Sequence, residues 1–401
     1  MPNLSHAEKA ALDRVTDAPM LAQVQQWAAV NSGSRNLQGL AEMAGLLADA
    51  FAALPGDVTL LDPAPVDAVA ADGRVDLIAH GRHLHLAVRP DAPVRLLLTG
   101  HMDTVFGIDH PFQKQRWQEP GILNGPGVAD MKGGIAVMLA ALLALEGGPE
   151  TPNFGYDVVI NSDEEVGSPS SAALLRRIAM GKAAAFTYEP ALPDGTLAGA
   201  RAGSGNFSII VTGRSAHAGR NPQDGRNALV AAADLALRLK RGSGSGFSCN
   251  PARIDGGGPN NVVPDHAILR VNFRPRSAED ERAARDLLDR TIADIAHEHD
   301  VELHCHGGFG RPPKPMDERT GRLFDLVRRC GADLGVPIAW RDTGGVCDGN
   351  NIAACGIAVV DTMGVRGGSI HSDAEFLIAD SLVERARLST LTLMRVAHEK
   401  I

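Results

Sequence analysis

Apolar residues along this chain fall into two textures, and the change between them lies near Gly203. In the first two hundred residues, stretches of helical spacing alternate with short apolar runs. Met20 to Val30 and Leu37 to Leu54 carry apolar residues three and four positions apart, which predicts two amphipathic helices within a largely helical segment from Ser5 to Leu54. Asn31-Ser32-Gly33-Ser34 breaks the pattern between them, and Pro55-Gly56 ends the second. Val58 to Val88 alternates in part around Asp62-Pro63 and Asp72-Gly73, as paired strands with turns do. Val94 to Leu98 reads as a buried strand, Tyr156 to Asn161 as a second and Ala183 to Tyr188 as a third. Ile135 to Leu145 is apolar on every side and predicts a deeply buried helix, and Ser170 to Met180 predicts another. Strands alternating with helices in this way predict an α/β fold with a mostly parallel sheet.

Beyond Gly203, Phe207 to Thr212 alternates like a strand with one solvated face. Asn227 to Leu239 and Ala278 to Glu298 predict helices, and Ala267 to Phe273 and Val301 to His306 predict strands. With one more strand before Ala267 these make a compact α+β unit. Then come a helix (Leu323 to Leu334), a strand (Ala358 to Met363) and a last helix (Ala379 to Ala397). A chain of 401 residues is too long for one ordinary core. It divides into a discontinuous larger domain, 1–202 with 313–401, and an inserted smaller one, 203–312.

Composition narrows the function. A net charge of -9 without a basic stripe excludes nucleic acid as the main partner. Five scattered cysteines without a C-x-x-C pair argue against a disulfide framework and a thiolate zinc site, and fit a reducing compartment. The segment MPNLSHAEKAALDRV lacks the apolar core of a signal peptide, and the longest apolar run is too short to span a bilayer. The expectation is a cytoplasmic protein with no membrane partner. No Walker loop and no G-x-G-x-x-G after a strand is present, which speaks against a nucleotide-binding dehydrogenase.

The candidate chemistry sits at the ends of the predicted strands and in the loops after them: His101, Asp103, Asp130, Glu164, Glu165, Glu189 and His371. Ligands in α/β folds collect beyond the carboxyl ends of the strands. If the sheet gathers these residues, their carboxylates repel unless protons or cations neutralise them. Imidazole and carboxylate without thiolate suit zinc, with cobalt or manganese as substitutes, and the set is large enough for two metals bridged by one carboxylate. His101 and Asp103 share a side in extended chain, so one can ligate while the other orients it. Glu164 and Glu165 point apart, so one can ligate and the other serve as base; spacing does not say which. Taken singly, each has a plainer reading: a surface histidine, a solvated acid pair, and for Gly125-Pro126-Gly127 an ordinary turn.

Taken together and in order, His101-Met102-Asp103-Thr104-Val105, Gly125-Pro126-Gly127-Val128-Ala129-Asp130-Met131-Lys132-Gly133-Gly134, Asp163-Glu164-Glu165-Val166-Gly167-Ser168, Glu189-Pro190, Ser215-Ala216-His217-Ala218-Gly219 and Ile370-His371-Ser372 resemble the co-catalytic zinc hydrolases. That family includes glutamate carboxypeptidases, acetylornithine deacetylases, succinyl-diaminopimelate desuccinylases and aminoacylases, and bacterial glutamate carboxypeptidase is the branch most resembled. The resemblance implies two zinc ions, one held by His101, Asp130 and Glu189, the other by Asp130, Glu165 and His371. It implies Glu164 as general base, Asp103 as the residue orienting His101, and a cis peptide bond after Asp130. The smaller domain, of ferredoxin-like α+β form, is by resemblance a lid and dimerisation domain. From it His217 would reach the partner subunit's active site to stabilise an oxyanion. Asn261, Arg274 and Arg311 match positions that hold a substrate carboxylate, and Gly345 one that lies against the substrate backbone. The implied activity is hydrolysis of a peptide or N-acyl amide beside a free α-carboxylate. A deacetylase or desuccinylase is the alternative within the class, and a catalytically silent protein on the same fold the alternative outside it. Cys347, Asn350 and Asn351 depart from the glutamate enzymes and put glutamate specificity in question.

Overall fold

The computed structural model describes residues 4–149 and 152–399; the chain ends assigned above to the larger domain, 1–3 and 400–401, lie outside the described residues. Two main sheets organise the chain. Their strands, in chain order, are Val58–Leu61 (β1), His83–Val88 (β2), Arg95–His101 (β3), Gly155–Asn161 (β4), Ala184–Thr187 (β5), Ser204–Thr212 (β6), Phe247–Gly256 (β7), His266–Pro275 (β8), Glu302–Arg311 (β9) and Ala358–Val360 (β10).

The larger sheet has six strands in the order β1-β2-β4-β3-β5-β10. Strands β4, β3, β5 and β10 are parallel, while β2 runs antiparallel to both β4 and β1. The parallel strands are apolar at consecutive positions because helices cover both faces. Leu96, Leu98, Val158, Ile160 and Phe186 face one core, with the helices Gly134–Glu146 and Ser381–Val396. Leu97, Val159, Ala185 and Val359 face the other, with Leu174 and Leu175 of the helix Ala172–Ala179. The helix at 134–146 is buried on all sides, as its unbroken apolar sequence requires. The stretch Val128–Glu146 is long and apolar enough to cross a membrane, but 89% of its window is buried inside the protein.

This topology selects one place for chemistry. From β3 the chain moves to β4 on one side, then crosses to β5 on the other, so the end of β3 is a topological switch point. Register then aligns the strand ends: His101 pairs with Asn161, and Thr99 pairs with Thr187. Glu164 and Glu165 follow just after Asn161, and Glu189 lies two residues beyond Thr187. Each functional side chain is thus delivered to the same edge of the same sheet.

The second sheet has the order β7-β8-β6-β9 and is antiparallel throughout. With the helices Ala228–Arg241 and Ala278–His299 it has the ferredoxin-like βαββαβ connectivity. Its core is its own and includes Phe207, Ile209, Leu235, Phe273 and Leu288. Two crossings join it to the rest. At these, Arg201 and Lys314 exchange backbone hydrogen bonds of 2.9 and 3.0 Å.

Among the short pieces not visible in the apolar pattern are the strands Leu197–Arg201 and Trp340–Thr343, which pair in parallel, and a six-residue helix from Asp348 to Ala353. All are too short to show a period, and the helix is too polar as well. The strand pair, with Cys347 just before the helix, forms one wall of the site described below.

Close packing at the switch point makes one substitution informative. A Cβ on Gly134 would lie 1.8 Å from the carbonyl oxygen of Tyr188, the residue before Glu189. Gly134→Ala must push the helix off the strand end. We expect a loss of about 1–3 kcal/mol in unfolding free energy, as overpacking costs, together with weakened metal retention. Denaturant unfolding and metal analysis of the purified variant would check this; unchanged values for both would refute it.

Candidate metal centre and active-site cavity

His101 closes β3 and is 1% exposed; Asp103 beyond it is fully buried. Asp130 is presented by a turn whose backbone amides are held from one side. The Glu375 carboxylate accepts from the N–H groups of Gly127 (3.2 Å), Ala129 (3.0 Å) and Asp130 (3.0 Å). The peptide bond after Asp130 is cis. Glu164 and Glu165 form a short 3₁₀ turn after β4, and Glu189 follows β5. His371 comes from the loop near the C-terminus and keeps about half its side chain exposed, at 52%.

The donor atoms of these residues converge in two sets that share Asp130. Its Oδ1 lies 3.1 Å from His101 Nε2, which is 3.7 Å from Glu189 Oε2. Its Oδ2 lies 3.2 Å from His371 Nε2, which is 3.1 Å from Glu165 Oε2. Donors around a tetrahedral ion with bonds of about 2.0–2.1 Å stand about 3.3 Å apart. The side chains therefore already have the spacing a metal imposes. By mutual distance alone, two overlapping triads also emerge, His101 with Asp130 and Glu165, and His101 with Glu164 and Glu189. Both triads draw on His101, whereas the contacts of 3.1–3.7 Å above divide the residues into two sets, each with its own histidine.

Electrostatics gives the same answer. Burial and the neighbouring Asp130 push the Glu165 carboxyl up to about 8. Hydrogen bonds to Asp130 and Glu165 raise His371 to about 11. Burial works to lower His101, yet Glu189, Asp103 and Asp130 hold it well above the usual imidazole range. Burial opposes ionisation of Asp130, yet hydrogen bonds from both histidines keep it well below the carboxylate range. The cluster draws in positive charge wherever it can, and divalent cations fit the histidine and carboxylate donors that do so.

Glu164 stands apart from both sets. Its Oε1 lies 2.7 Å from Arg311 Nη2, and the same nitrogen donates to the Glu164 carbonyl (2.8 Å) and to Ser168 Oγ (2.8 Å). Asp348 lies behind, 3.5 Å from Arg311, and accepts from Ser168 and from Asn161. Burial pushes the Glu164 carboxyl up to about 7, while Arg311 acts to lower it. A buried carboxyl titrating near neutrality beside a metal-shaped cluster has what a general base needs.

A cavity of about 790 Å³ opens onto this cluster, lined in part by Glu164, Arg201, Arg274, Arg311, Gly345 and His371. The other expected residues lie as follows. Asp103 faces His101 Nδ1 with both groups: its carbonyl lies 3.0 Å away and its carboxylate Oδ1 3.5 Å. The same carboxylate also accepts from the Glu164 and Glu165 amides and from Ser34, and so fixes the turn that carries both acids. Arg311 lines the cavity, but its charge is engaged by Glu164. Arg274, half-buried, has no carboxylate partner among the described residues; its Nε donates to Asn272. Gly345 lines the cavity, and a Cβ there would meet no protein atom closer than 3.6 Å. His217 and Asn261 are exposed and adjacent on the smaller unit, where the Ala218 amide donates to the Asn261 carbonyl; neither lines the cavity of its own chain.

Sequence reasoning missed Glu375, Asp348, Arg201 and Asp361. Glu375, four residues after His371, was open to detection as one more acid in a metal loop. The others lie in weakly periodic stretches and acquire meaning only through contacts distant in sequence.

An α/β sheet with a paired acid–histidine centre at its switch point defines a co-catalytic metallohydrolase. A model described as peptidase family M20/M25/M40 matches residues 97–395, and the chain belongs to that family. It is 31% identical over 312 residues to carboxypeptidase G2 of Pseudomonas sp. (strain RS-16), covering 75% of this chain and 73% of that protein. It is 28% identical over 290 residues to a succinyl-diaminopimelate desuccinylase of Psychrobacter sp. (strain PRwf-1), covering 67% and 70%. The crystal structure of aminopeptidase PepT from Bacillus cereus superposes with a TM-score of 0.73 at 23% identity, over 96% of this chain and all of that one. The protein is a metal-dependent hydrolase of amide bonds.

The Glu164–Arg311 pair yields a pH prediction. If deprotonated Glu164 serves as the base, activity falls as pH drops through its pKa. Removing the cation that lowers that pKa raises it. Arg311→Met should therefore shift the acid limb of the kcat profile upward by about 1–2 pH units. A limb that stays in place would show that Arg311 does not act on the base.

Proposed function

We propose that the protein is a dinuclear zinc hydrolase that cleaves a peptide or N-acyl amide beside a free carboxylate. The observation that carries this reading is the sharing of Asp130: its two oxygens face two histidines, each with its own second carboxylate. In this reading His101, Asp130 and Glu189 hold one zinc ion, and Asp130, Glu165 and His371 the other; cobalt or manganese would serve in the same donors. The ions, when bound, supply Lewis acidity toward the scissile carbonyl.

The protein's own groups do the rest. Glu164 takes a proton from the attacking water at its carboxylate and passes it to the leaving amine. Arg274, a half-buried cation without a carboxylate partner among the described residues, receives the substrate carboxylate, with Arg311 beside it. Gly345 leaves room for the substrate backbone. The two curated relatives support this bond type: one is named a carboxypeptidase and the other a desuccinylase of diaminopimelate.

The unit 203–312 acts as lid and dimerisation domain in this reading. Strand β7 is an open sheet edge, with Ile254 exposed on it. The neighbouring helix Ala228–Arg241 exposes Leu229, Val230 and Leu237. An open edge beside an apolar helix face favours pairing with a second copy. His217 and Asn261, idle in their own chain, would then serve the partner's cavity, His217 at the developing oxyanion. We place the enzyme in the cytoplasm, where its five unpaired cysteines stay reduced.

The decisive experiment combines metal analysis with a substrate panel of N-acyl amino acids, acylglutamates, acetylornithine, succinyl-diaminopimelate and dipeptides. About two zinc ions per chain and chelator-sensitive hydrolysis are expected, and the best substrate decides between carboxypeptidase and deacylase. Absence of metal uptake would overturn the reading. Glu164→Gln should lower kcat by at least about a thousandfold, in the upper part of the range for a lost base, with both metals retained; near-normal turnover would remove Glu164 from its role. Joint Val230→Glu and Leu237→Glu substitution should give monomers by sedimentation and a comparable loss of turnover, since His217 would have no partner. A fully active monomer would exclude the contribution across subunits.

A further inference from the structure

One segment of the larger unit reaches the inserted unit far from the chain crossings. Residues 62–82 join β1 to β2 and carry a hairpin, Val66–Val69 paired with Val75–Ile78. Among the described residues it forms a two-stranded sheet of its own. Val75, Leu77, Asp67 and Asp76 stand exposed on it. Its root is tied to the larger unit. The Ala64 amide donates to the Ser170 carbonyl at 3.4 Å. The buried His80 ring lies 3.2 Å from the Ile78 carbonyl and 3.1 Å from Arg35 Nη1. Its turn and the end of one arm rest on β8.

Arg270 of β8 makes that seat. Its Nη2 donates to the Val69 carbonyl at 3.0 Å and to the Ala70 carbonyl at 3.4 Å. Its Nε and Nη1 donate inside the inserted unit, to Asp255 Oδ2 (3.0 Å) and Ser208 Oγ (3.2 Å). Gly73, at the turn with φ of +85°, lies against His266; a Cβ there would come within 2.6 Å of the ring. Ile268 lies between these two contacts, on the strand face turned away from the inserted core, yet it is fully buried. The plainer reading is that the hairpin only shields this face. Two observations ask more of it. A lone two-stranded hairpin is marginally stable in water, so the order of this one depends on its seat. The seat is also distant from the crossings. The Gly203 amide donates to the Pro275 carbonyl at 2.7 Å, so a crossing lies at one end of β8, and His266 is at the other. At about 3.3 Å per residue those ends are roughly 30 Å apart, and a rotation of about ten degrees at the crossing moves the far end by about 5 Å, beyond any hydrogen bond.

We propose that the hairpin Val66–Ile78 is a clasp on the inserted unit: seated on the open face of its sheet, it sets the resting angle between the two units, and the inserted unit moves only when Arg270 releases the Val69 and Ala70 carbonyls. The inference rests on the proposed reading only in taking the inserted unit as a lid over the cavity. Arg274 shares the Arg270 face of β8 and lines the cavity, so the angle that the clasp sets also sets how far Arg274 stands from the metal-binding residues. Both hairpin carbonyls can be solvated by water once the seat opens, so release is reversible.

The test is the spacing of the two units, which does not require turnover. Metal-loaded protein would carry a donor and an acceptor dye on unnatural side chains at the exposed positions Glu42 and Asp294, diluted into unlabelled protein so that each particle holds one labelled chain. Single-molecule energy transfer should give one narrow distribution for the wild type. Val66 and Ile78 are cross-strand partners, so residues 67–77 can be replaced by an Asn-Gly turn that keeps the root. This shortened chain and Arg270→Met should each roughly double the width of the distribution or add a second population. The KM of the shortened enzyme should rise at least about threefold, with metal content unchanged. An unchanged distribution in either variant overturns the inference. Should the shortened chain fail to fold, Arg270→Met decides, with Asp255→Asn as its control. Asp255 holds Arg270 from inside the inserted unit, so equal broadening in both, or none in Arg270→Met, overturns the inference. Hydrolysis of the panel with an unchanged distribution removes the clasp alone. A broadened distribution with no hydrolysis removes the proposed bond specificity and leaves the clasp standing.

Discussion

Mutual repulsion among buried carboxylates is the constraint from which the rest of this structure follows. Asp130, Glu164, Glu165 and Glu189 crowd one crevice, with Asp103 and Asp163 fully buried behind them. Charges a few ångströms apart in a partly dry site cost several kcal/mol unless they are answered. The chain answers them in layers. Histidines, with the carboxylates able to hold divalent ions, sit at the front. Arg311 answers Glu164 from the side. Backbone amides answer those behind: Asp103 accepts from the Glu164 and Glu165 amides, Asp163 from those of Ser170 and Ser171, Glu375 from three more. Tight turns are where such amides become free, so the acids and the turns that present them require each other.

That dependence explains why the fold is rigid where it is. Three parallel strands in fixed register bring their ends to one level, and the helix after Asp130 packs so closely on β5 that only glycine fits at Gly134. A misplacement of one ångström would trade an answered charge for an unanswered one. The apolar strands and the all-apolar helix are therefore part of the site's electrostatics, because they hold the dipoles in place.

How much of this could be read from sequence depended on range. His101, Asp130, Glu164, Glu165, Glu189 and His371 were legible because each follows an apolar strand or sits in a marked loop, and the α/β rule says where such ends meet. The partner of a buried charge was not. Asp103 and the histidine two positions before it suggest a side-chain pairing, but nothing local shows that the same carboxylate also takes the amides of the two acids, at separations of 61 and 62. Arg201 with Asp361 and Arg311 with Glu164 are separated by 160 and 147 residues along the chain, and no local pattern records either pair. The strand Leu197–Arg201 went unread because five residues alternate too briefly to distinguish from loop.

Arg311 connects the two halves of the molecule in one further way. It is the last residue of β9, the final strand of the inserted unit, and its guanidinium reaches into the larger unit to hold Glu164, Ser168 and the Glu164 carbonyl. All of these contacts are made through one nitrogen, Nη2, while the buried Nε has no partner. The inserted unit is therefore tied to Glu164 by a single cation. Burial raises the Glu164 carboxyl and the Arg311 charge lowers it, so the ionisation of an acid in the larger unit depends on a side chain that only the inserted unit's last strand supplies.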